Sequence, residues 1–257
     1  YSGGFRAPQA FDEDLHIAAV GGDVAIIRLA PGLKEEKSRS VSVSADWYHR
    51  FGQVRVNLLA EGFYTNLKDV FVLEDISKED GILTKERRNG SGAEVMGVNL
   101  EARAVFTRWL ELQAGATLQR SRYKEPEVWS ENPEVPAEKR LFRTPDVYGY
   151  FTALLNPLKR FSASLAGTYT GRMLVQHMAG VIVADRVEKT PDFFDMELKL
   201  AYDMPLYKEV TLQWSAGVRN IFDAYQRDFD QGADRDSGYM YGPGIPRSYY
   251  AGVKIVF

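Results

Sequence analysis

The chain has 257 residues, a net charge of −3, 26% charged residues and no cysteine. That length supports one large β domain or two ordinary ones; the absence of a basic excess argues against nucleic acid as a partner, and the absence of cysteine excludes disulfides, thiolate metal sites and a cysteine nucleophile. No apolar run approaches the roughly 18 residues of a membrane helix, whereas a membrane barrel, whose signal is alternation and not hydropathy, stays open.

The opening YSGGFRAPQAF (1–11) predicts a short strand near Tyr1–Phe5. It does not read as a natural amino terminus, so the lack of a leader there is uninformative. VSVSADW (41–47) alternates. VRVNLLAEGFY (54–64) then sets Val54, Val56, Leu58, Ala60 and Tyr64 against Arg55, Asn57 and Glu61. MGVNLEARAVF (96–106) sets Met96, Val98, Leu100, Ala102, Ala104 and Phe106 against Asn99, Glu101 and Arg103. WLELQAGATLQ (109–119) sets Leu110, Leu112, Ala114, Ala116 and Leu118 against Glu111, Gln113, Thr117 and Gln119. VYGYFTALL (147–155) is less regular, and FSASLAGTY (161–169) alternates again. FDMELKLAY (194–202) opposes Phe194, Met196, Leu198, Leu200 and Tyr202 to Asp195, Glu197 and Lys199, and VTLQWSAGVRN (210–220) opposes Val210, Leu212, Trp214, Ala216 and Val218 to Thr211, Gln213 and Arg219. SYYAGVKIVF (248–257) places Tyr249, Ala251, Val253, Ile255 and Phe257 on one face. Period-two alternation over about ten segments means strands with one apolar and one polar face.

The connections alternate too. Short links at 49–52, 107–108, 156–159 and 203–209 take turns with long polar ones at roughly 66–93, 120–145, 171–190 and 222–246. Short turns on one rim and long loops on the other are the pattern of a transmembrane antiparallel β-barrel in the outer membrane, which puts the chain end on the periplasmic side. Aromatics such as Trp47, Tyr48, Phe63, Trp109, Tyr148, Tyr150, Tyr250 and Phe257 fall near strand ends, where interface girdles lie. An apolar terminal aromatic fits a last strand that must pair to close a barrel.

Four segments carry a resemblance to a known family: GFRAPQAFDE (4–13), PGLKEEKSRSVSVSADW (31–47, with Glu35 where the family usually has Pro), VRNIFDAYQ (218–226) and YGPGIPRSYYAGVKIVF (241–257). Together they resemble the TonB-dependent outer-membrane receptors over essentially the whole chain, and YQRDFDQGADRDSGYMYGPGIPR (225–247) is similar to receptors of the Bacteroidetes type. The resemblance implies an all-β, 22-stranded barrel with an amino-terminal plug inside it. This chain would be the carboxyl-terminal part, about ten strands, with the plug and the TonB box outside it. It also implies that the terminal strand, Tyr249, Val253, Ile255 and Phe257, is an assembly signal.

Candidate ligand contacts lie in the long loops. Trp129, in the acidic segment KEPEVWSENPEVPAEK (124–139), reads as part of a solvated loop or as an exposed anchor. His177 and Met178, in RMLVQHMAG, read first as rim residues and alternatively as contacts to a haem or cobalt ligand. Tyr239 and Tyr241 are further contacts. Asp228, Asp230, Asp234 and Asp236 have spacings a Ca2+ ion could use, but the glycine and terminal glutamate of an EF-hand are missing and Arg227 and Arg235 supply countercharge. No resident cofactor is expected. Charges such as Arg55, Glu61, Arg103, Glu197 and Lys254 belong to a wet barrel interior.

The resemblance implies active uptake of a scarce, bulky nutrient: a metal chelate (siderophore, haem or corrinoid such as cobalamin) ahead of a glycan or peptide. A diffusion porin is the alternative. Three histidines with no triad-like surroundings argue against an enzyme. The partners implied are outer-membrane lipid, the plug and amino-terminal barrel half, the TonB system and, as a further candidate, a surface lipoprotein.

Overall fold

The computed structural model describes residues 1–8, 24–79, 82–130, 132–207 and 209–257, and these contain strands, turns and loops but no helix. Residues 9–13 of the GFRAPQAFDE segment lie outside them. In chain order the strands are β1 (Ser2–Arg6), β2 (Val24–Leu29), β3 (Glu36–Phe51), β4 (Val54–Lys68), β5 (Phe71–Glu79), β6 (Ile82–Asn89), β7 (Ala93–Thr107) and β8 (Leu110–Glu127). Then come β9 (Glu138–Arg140), β10 (Val147–Leu158), β11 (Phe161–Thr170), β12 (Leu174–His177), β13 (Arg186–Lys189), β14 (Phe193–Tyr207), β15 (Val210–Arg219) and β16 (Ser248–Val256).

Ten of them form one wall in the order β1-β3-β4-β7-β8-β10-β11-β14-β15-β16, with β9 added to β8. Each wall strand is antiparallel to its neighbours. The registers turn the alternation read along single strands into continuous rows. Val56, Ala104, Leu112, Ala153, Leu165, Leu198, Val218 and Tyr249 are successive cross-strand partners. One step away, Asn57, Arg103, Gln113 and Thr152 make a polar row. An apolar sheet face left uncovered, with Val43 73% and Leu118 51% exposed, is stable only against lipid.

Much of the polar face pairs within itself. Arg103 donates through Nε to Glu111 at 2.8 Å, Gln113 to the Tyr150 hydroxyl at 3.1 Å, Thr117 to Asn99 at 2.9 Å and Gln213 to Asp203 at 2.8 Å. Tyr150 therefore corrects the girdle expectation. It lies on the polar face over Gly115, as Phe63 lies over Gly97 and Tyr250 over Gly217, each ring filling the space a glycine leaves open. Girdle-type packing does occur at the short-turn rim, where Trp47 stacks on His49 at 5.3 Å and His49 meets Phe51 at 4.3 Å.

The strands run further than the sequence suggests. The links expected at 156–159 and 203–209 shrink to the turns after Leu158 and Tyr207, because Pro157 and Pro205 sit at register shifts inside strand ends and do not stop them. At the other rim β8, with 18 residues, exceeds the roughly 9–11 that cross a bilayer. All the long connections leave that rim. Three of them carry strands outside the wall: β2, from the β1–β3 connection, pairs with β6 of the β4–β7 connection in the three-stranded sheet β2-β6-β5, and β12 and β13 form a hairpin between β11 and β14. The cluster of buried apolar side chains lies at the outer rim, in the loops and at the first residue of β14: Val175, Phe193, Tyr239 and Tyr241, with Met173 and Ala224 packed against it.

Candidate functional site

The cluster joins the β12–β13 hairpin to the connection 220–247. Phe193 and Tyr241 pack at 6.0 Å, and Tyr239 meets Tyr241 edge-on at 5.4 Å. Buried Gln226 braces the two tyrosines, its Nε2 donating to Tyr239 O at 3.1 Å and its Oε1 accepting from Tyr241 N at 2.6 Å. Gly242, at φ 76°, continues the chain flat across Phe193, where a Cβ would stand 2.5 Å from the ring.

Carboxylates organise the polar half. Asp228 accepts from the Tyr241 hydroxyl at 2.7 and 2.8 Å and from the Tyr239 hydroxyl at 3.1 Å. Burial first, then the bond to Asp228, pushes the Tyr241 phenol well above its ordinary value, and burial leads in raising Tyr239 to about 12. His177, only 4% exposed, stacks on Tyr239 with ring centres 3.6 Å apart. Its Nε2 lies 3.1 Å from Asp230 Oδ2, so that nitrogen carries a proton toward the acceptor. Its Nδ1 is buried, 3.8 Å from Glu188 Oε1, with no hydrogen-bond partner among the described residues. Burial raises the Asp230 carboxyl, but the hydrogen bonds from the Asp236 amide and His177 outweigh it and hold it below its ordinary value. Asp236 accepts from Met178 N at 2.9 Å and Gly238 N at 2.8 Å.

A third loop is tied in. Ser130 donates to Asp185 at 2.5 Å, and Asp185 also accepts from Ala179 N at 2.6 Å. Arg143, at φ 55°, donates from its backbone N to Leu174 O at 2.8 Å and from its guanidinium to Met240 O at 2.6 Å and to Gly238 O. The connections 128–146, 171–192 and 220–247 are thus one interlocked cap.

Of the expected contacts, His177, Met178, Tyr239 and Tyr241 come together in this cap. Trp129 does not join them; half-buried, it meets Phe142 edge-on at 5.7 Å and donates its indole N–H to Pro136 O at 3.2 Å, so its ring is folded into its own loop. Among the described residues no three His, Cys, Asp or Glu side chains are gathered as a metal ion requires. Asp228, Asp230 and Asp236 are turned onto protein donors and Asp234 is exposed. Tyr249, Val253 and Ile255 share the apolar face of β16, and Phe257 follows it, exposed. Gln226, Glu188, Asp185 and Arg143 were not singled out in the sequence. The one local signal was Gln226 itself, an amide inside an otherwise aromatic and charged run.

Residues 1–221 match the model of the "TonB dependent receptor-like, beta-barrel" family. A search of curated proteins finds no match. Among solved structures, the copper transporter OprC is 15% identical over 98% of this chain and 35% of its own, with a TM-score of 0.62. A mutant of the ferric enterobactin receptor PfeA from Pseudomonas aeruginosa is 18% identical over 98% of this chain and 36% of its own, with a TM-score of 0.59. The ferric-catecholate import receptor Fiu from E. coli K12 is 19% identical over 85% of this chain and 27% of its own, with a TM-score of 0.56. At these identities the likeness shows the fold, and the chain spans about a third of the length of these structures. With the family model covering most of its length, the chain belongs to the TonB-dependent receptor β-barrel family.

Proposed function

We propose that this chain is the carboxyl-terminal barrel wall and outer-loop cap of a receptor that takes up a scarce, bulky metal chelate (siderophore, haem or corrinoid) by TonB-coupled transport. The carrying observation is the one-sided cap: the long loops all leave one rim, and three of them lock together through His177, Asp185, Arg143 and Asp236. A diffusion pore needs no such braced structure, whereas a receptor needs a preorganised surface that meets its ligand before the gate moves. Solved structures similar in fold include a ferric-catecholate import receptor and a copper transporter, which supports a metal-bearing cargo over a glycan. The family consists of transport receptors and not enzymes, and it places the chain in the outer membrane of a Gram-negative cell. The plug, the amino-terminal barrel half, the TonB system and a surface lipoprotein are the proposed partners.

Uptake by the full-length receptor in a host lacking its own importers tests this. Labelled ferric catecholate, ferric hydroxamate, haemin, cyanocobalamin and a maltodextrin are supplied with and without TonB. TonB-dependent accumulation of one chelate is expected. Accumulation that persists without TonB returns the porin, and uptake of the maltodextrin alone overturns the chelate reading.

A further inference from the structure

The apolar rows of the wall end on a band of cations. On the face that meets lipid, Val43, Gly62, Val98, Leu118 and Val147 are successive cross-strand partners on β3, β4, β7, β8 and β10. The next row toward the outer rim is Val41, Tyr64, Met96 and Arg120. After it come Arg39, Asn66, Glu94, Arg122 and Arg140, and in the row beyond, Lys37 stands opposite Lys68. Contacts place these side chains on one face: Asn66 donates to the Tyr64 hydroxyl at 3.3 Å and accepts from Lys124 Nζ at 3.1 Å, and Tyr64 donates to Glu94 at 3.4 Å.

Strand length gives the depth of the band. Leu110 to Leu118 on β8 and Val41 to Phe51 on β3 each match the roughly 9–11 residues of strand that cross a bilayer. Arg39, Arg120 and Arg122 therefore begin where the hydrocarbon stops, at headgroup level. They lie on the outside of the wall, so neither a plug nor cargo in the lumen reaches them.

The protein answers these charges poorly. Arg39, Lys68 and Arg120 are exposed and have no ion pair or hydrogen bond among the described residues. Arg122 is half-buried, and its Nε has no hydrogen-bond partner there either. Two pairs set like charges directly across from each other, Arg122 with Arg140 and Lys37 with Lys68, an arrangement that destabilises a sheet unless an anion offsets it. Asp146 and Glu35 each answer one member of a pair, Arg140 at 2.6 Å and Lys37 at 2.7 Å. Arg172, next to Tyr169 further round the wall, is by contrast already paired with Asp192 at 3.7 Å.

We infer that the outward face of β3, β4, β7 and β8 above the apolar belt binds a phosphorylated lipid of the outer leaflet, with Arg39, Arg120 and Arg122 as its phosphate partners and Lys68 as a supporting charge. The acyl chains lie along Val43, Val98 and Leu118, where Gly62 leaves a dip in the row, nothing standing within 4 Å of the place its Cβ would occupy. The phosphates meet guanidinium forks that grip two oxygens at once. A lipid whose phosphate is capped by its own ammonium group gains less from such a band. This site is independent of what the receptor carries, since it lies outside the lumen.

The test uses the purified full-length receptor, stripped of lipid in detergent, and native mass spectrometry with three probes: an acylated glucosamine disaccharide carrying two phosphates (lipid A), the same lipid without its phosphates, and phosphatidylethanolamine. The phosphorylated lipid should bind about tenfold more tightly than either of the others, since its phosphates face more than one cation. Inorganic phosphate at equal concentration should not displace it. Arg39→Gln, Arg120→Gln and Arg122→Gln should each weaken it roughly fivefold, the worth of one cation near an anionic lipid surface, and the triple variant about a hundredfold. All should keep the heat-induced gel shift of the lipid-free barrel, and Arg172→Gln, at an already paired cation, should bind like wild type. Equal binding of the dephosphorylated lipid would mean that the chains alone are held, displacement by inorganic phosphate that the band takes a free anion, and unaltered affinity in the triple variant that the cations play no part; each overturns the inference. So does a detergent-stable dimer that the triple variant loses, because a second copy then covers the band.

Discussion

The imidazole of His177 lies flat against the phenol of Tyr239, ring centres 3.6 Å apart and planes 7° from parallel, although the two residues belong to different outer loops. The same imidazole holds Asp230, so one side chain secures the 220–247 connection twice. His177→Ala removes a ring contact worth about 0.5–1.5 kcal/mol and takes a partner from a carboxylate whose side chain is only 6% exposed. Amide exchange within 220–247 should quicken by roughly tenfold or more, since a kcal or two of local stability controls that opening. His177→Phe keeps the rings together and should fall between. Unchanged exchange in the alanine variant would show that the stack holds nothing.

The cap should weaken at both ends of the pH scale for opposite reasons. The Asp230 carboxyl is lowered in the folded loop, so its contribution is complete above the ordinary aspartate value near 4 and drains as pH falls through the lowered one. Tyr239 and Tyr241 are raised, so their contribution is complete below about 10 and is lost as pH rises through Tyr239's value of about 12 and the higher one of Tyr241. In a tyrosinate absorbance titration the wild type minus Asp228→Asn difference should show a phenol that ionises earlier in the variant. Coincident titration curves would remove Asp228 from the account.

Strand parity predicts unequal tolerance of charge. Leu112 and Leu198 lie in the continuous apolar row, and Gln113 in the polar row beside it. Arginine at either leucine should cost about 2–4 kcal/mol at mid-membrane, and the same change at Gln113 much less. Equal losses in denaturant titrations of the refolded full-length receptor would reject the assignment of faces.

Two glycines in the wall should respond differently to alanine. A Cβ on Gly217 would stand 2.5 Å from Leu198 O and from the Tyr250 ring, whose outer face carries Arg219 at 5.1 Å. Gly62 has nothing within 4 Å. Gly217→Ala should therefore cost about 1–3 kcal/mol as an overpacked site, read as a lower temperature for the heat-induced gel shift, while Gly62→Ala stays near wild type. A silent Gly217→Ala would mean that Tyr250 turns aside freely.

The wall was legible in the sequence because alternation is a property of each strand alone. Val54 to Tyr64 and Met96 to Phe106 both read correctly, and the rhythm of short and long links fixed the rims. Tyr148 and Tyr150 misled because β10 carries rings on its polar face, where Tyr150 covers Gly115, a cross-strand partner 35 residues earlier in chain order. Pro157 and Pro205 read as turn formers, yet at bulges they cost no ladder bond. The cap was half legible. His177, Met178, Tyr239 and Tyr241 were candidates from residue type, but their meeting depends on pairings such as His177 with Asp230 and Arg143 with Gly238, which no period connects. The Asp-rich run has spacings a calcium ion could use, and spacing along a chain does not reveal that Asp228 accepts from two phenols, Asp230 from an imidazole and an amide, and Asp236 from two amides.

Arg143 has a mechanical consequence. It sits between β8 and β10, yet its guanidinium grips the carbonyls of Gly238 and Met240, between β15 and β16, so it spans a stretch of wall that includes β11 and β14. A sheet hydrogen-bonded only edge to edge can flatten or curl like a hinged fence. A strut fastened across several panels removes that freedom on the outer side and leaves the short-turn side as the compliant end. Any splaying of this sector under load would then begin at the periplasmic rim, and the span between β10 and β15 at the outer mouth would stay nearly constant.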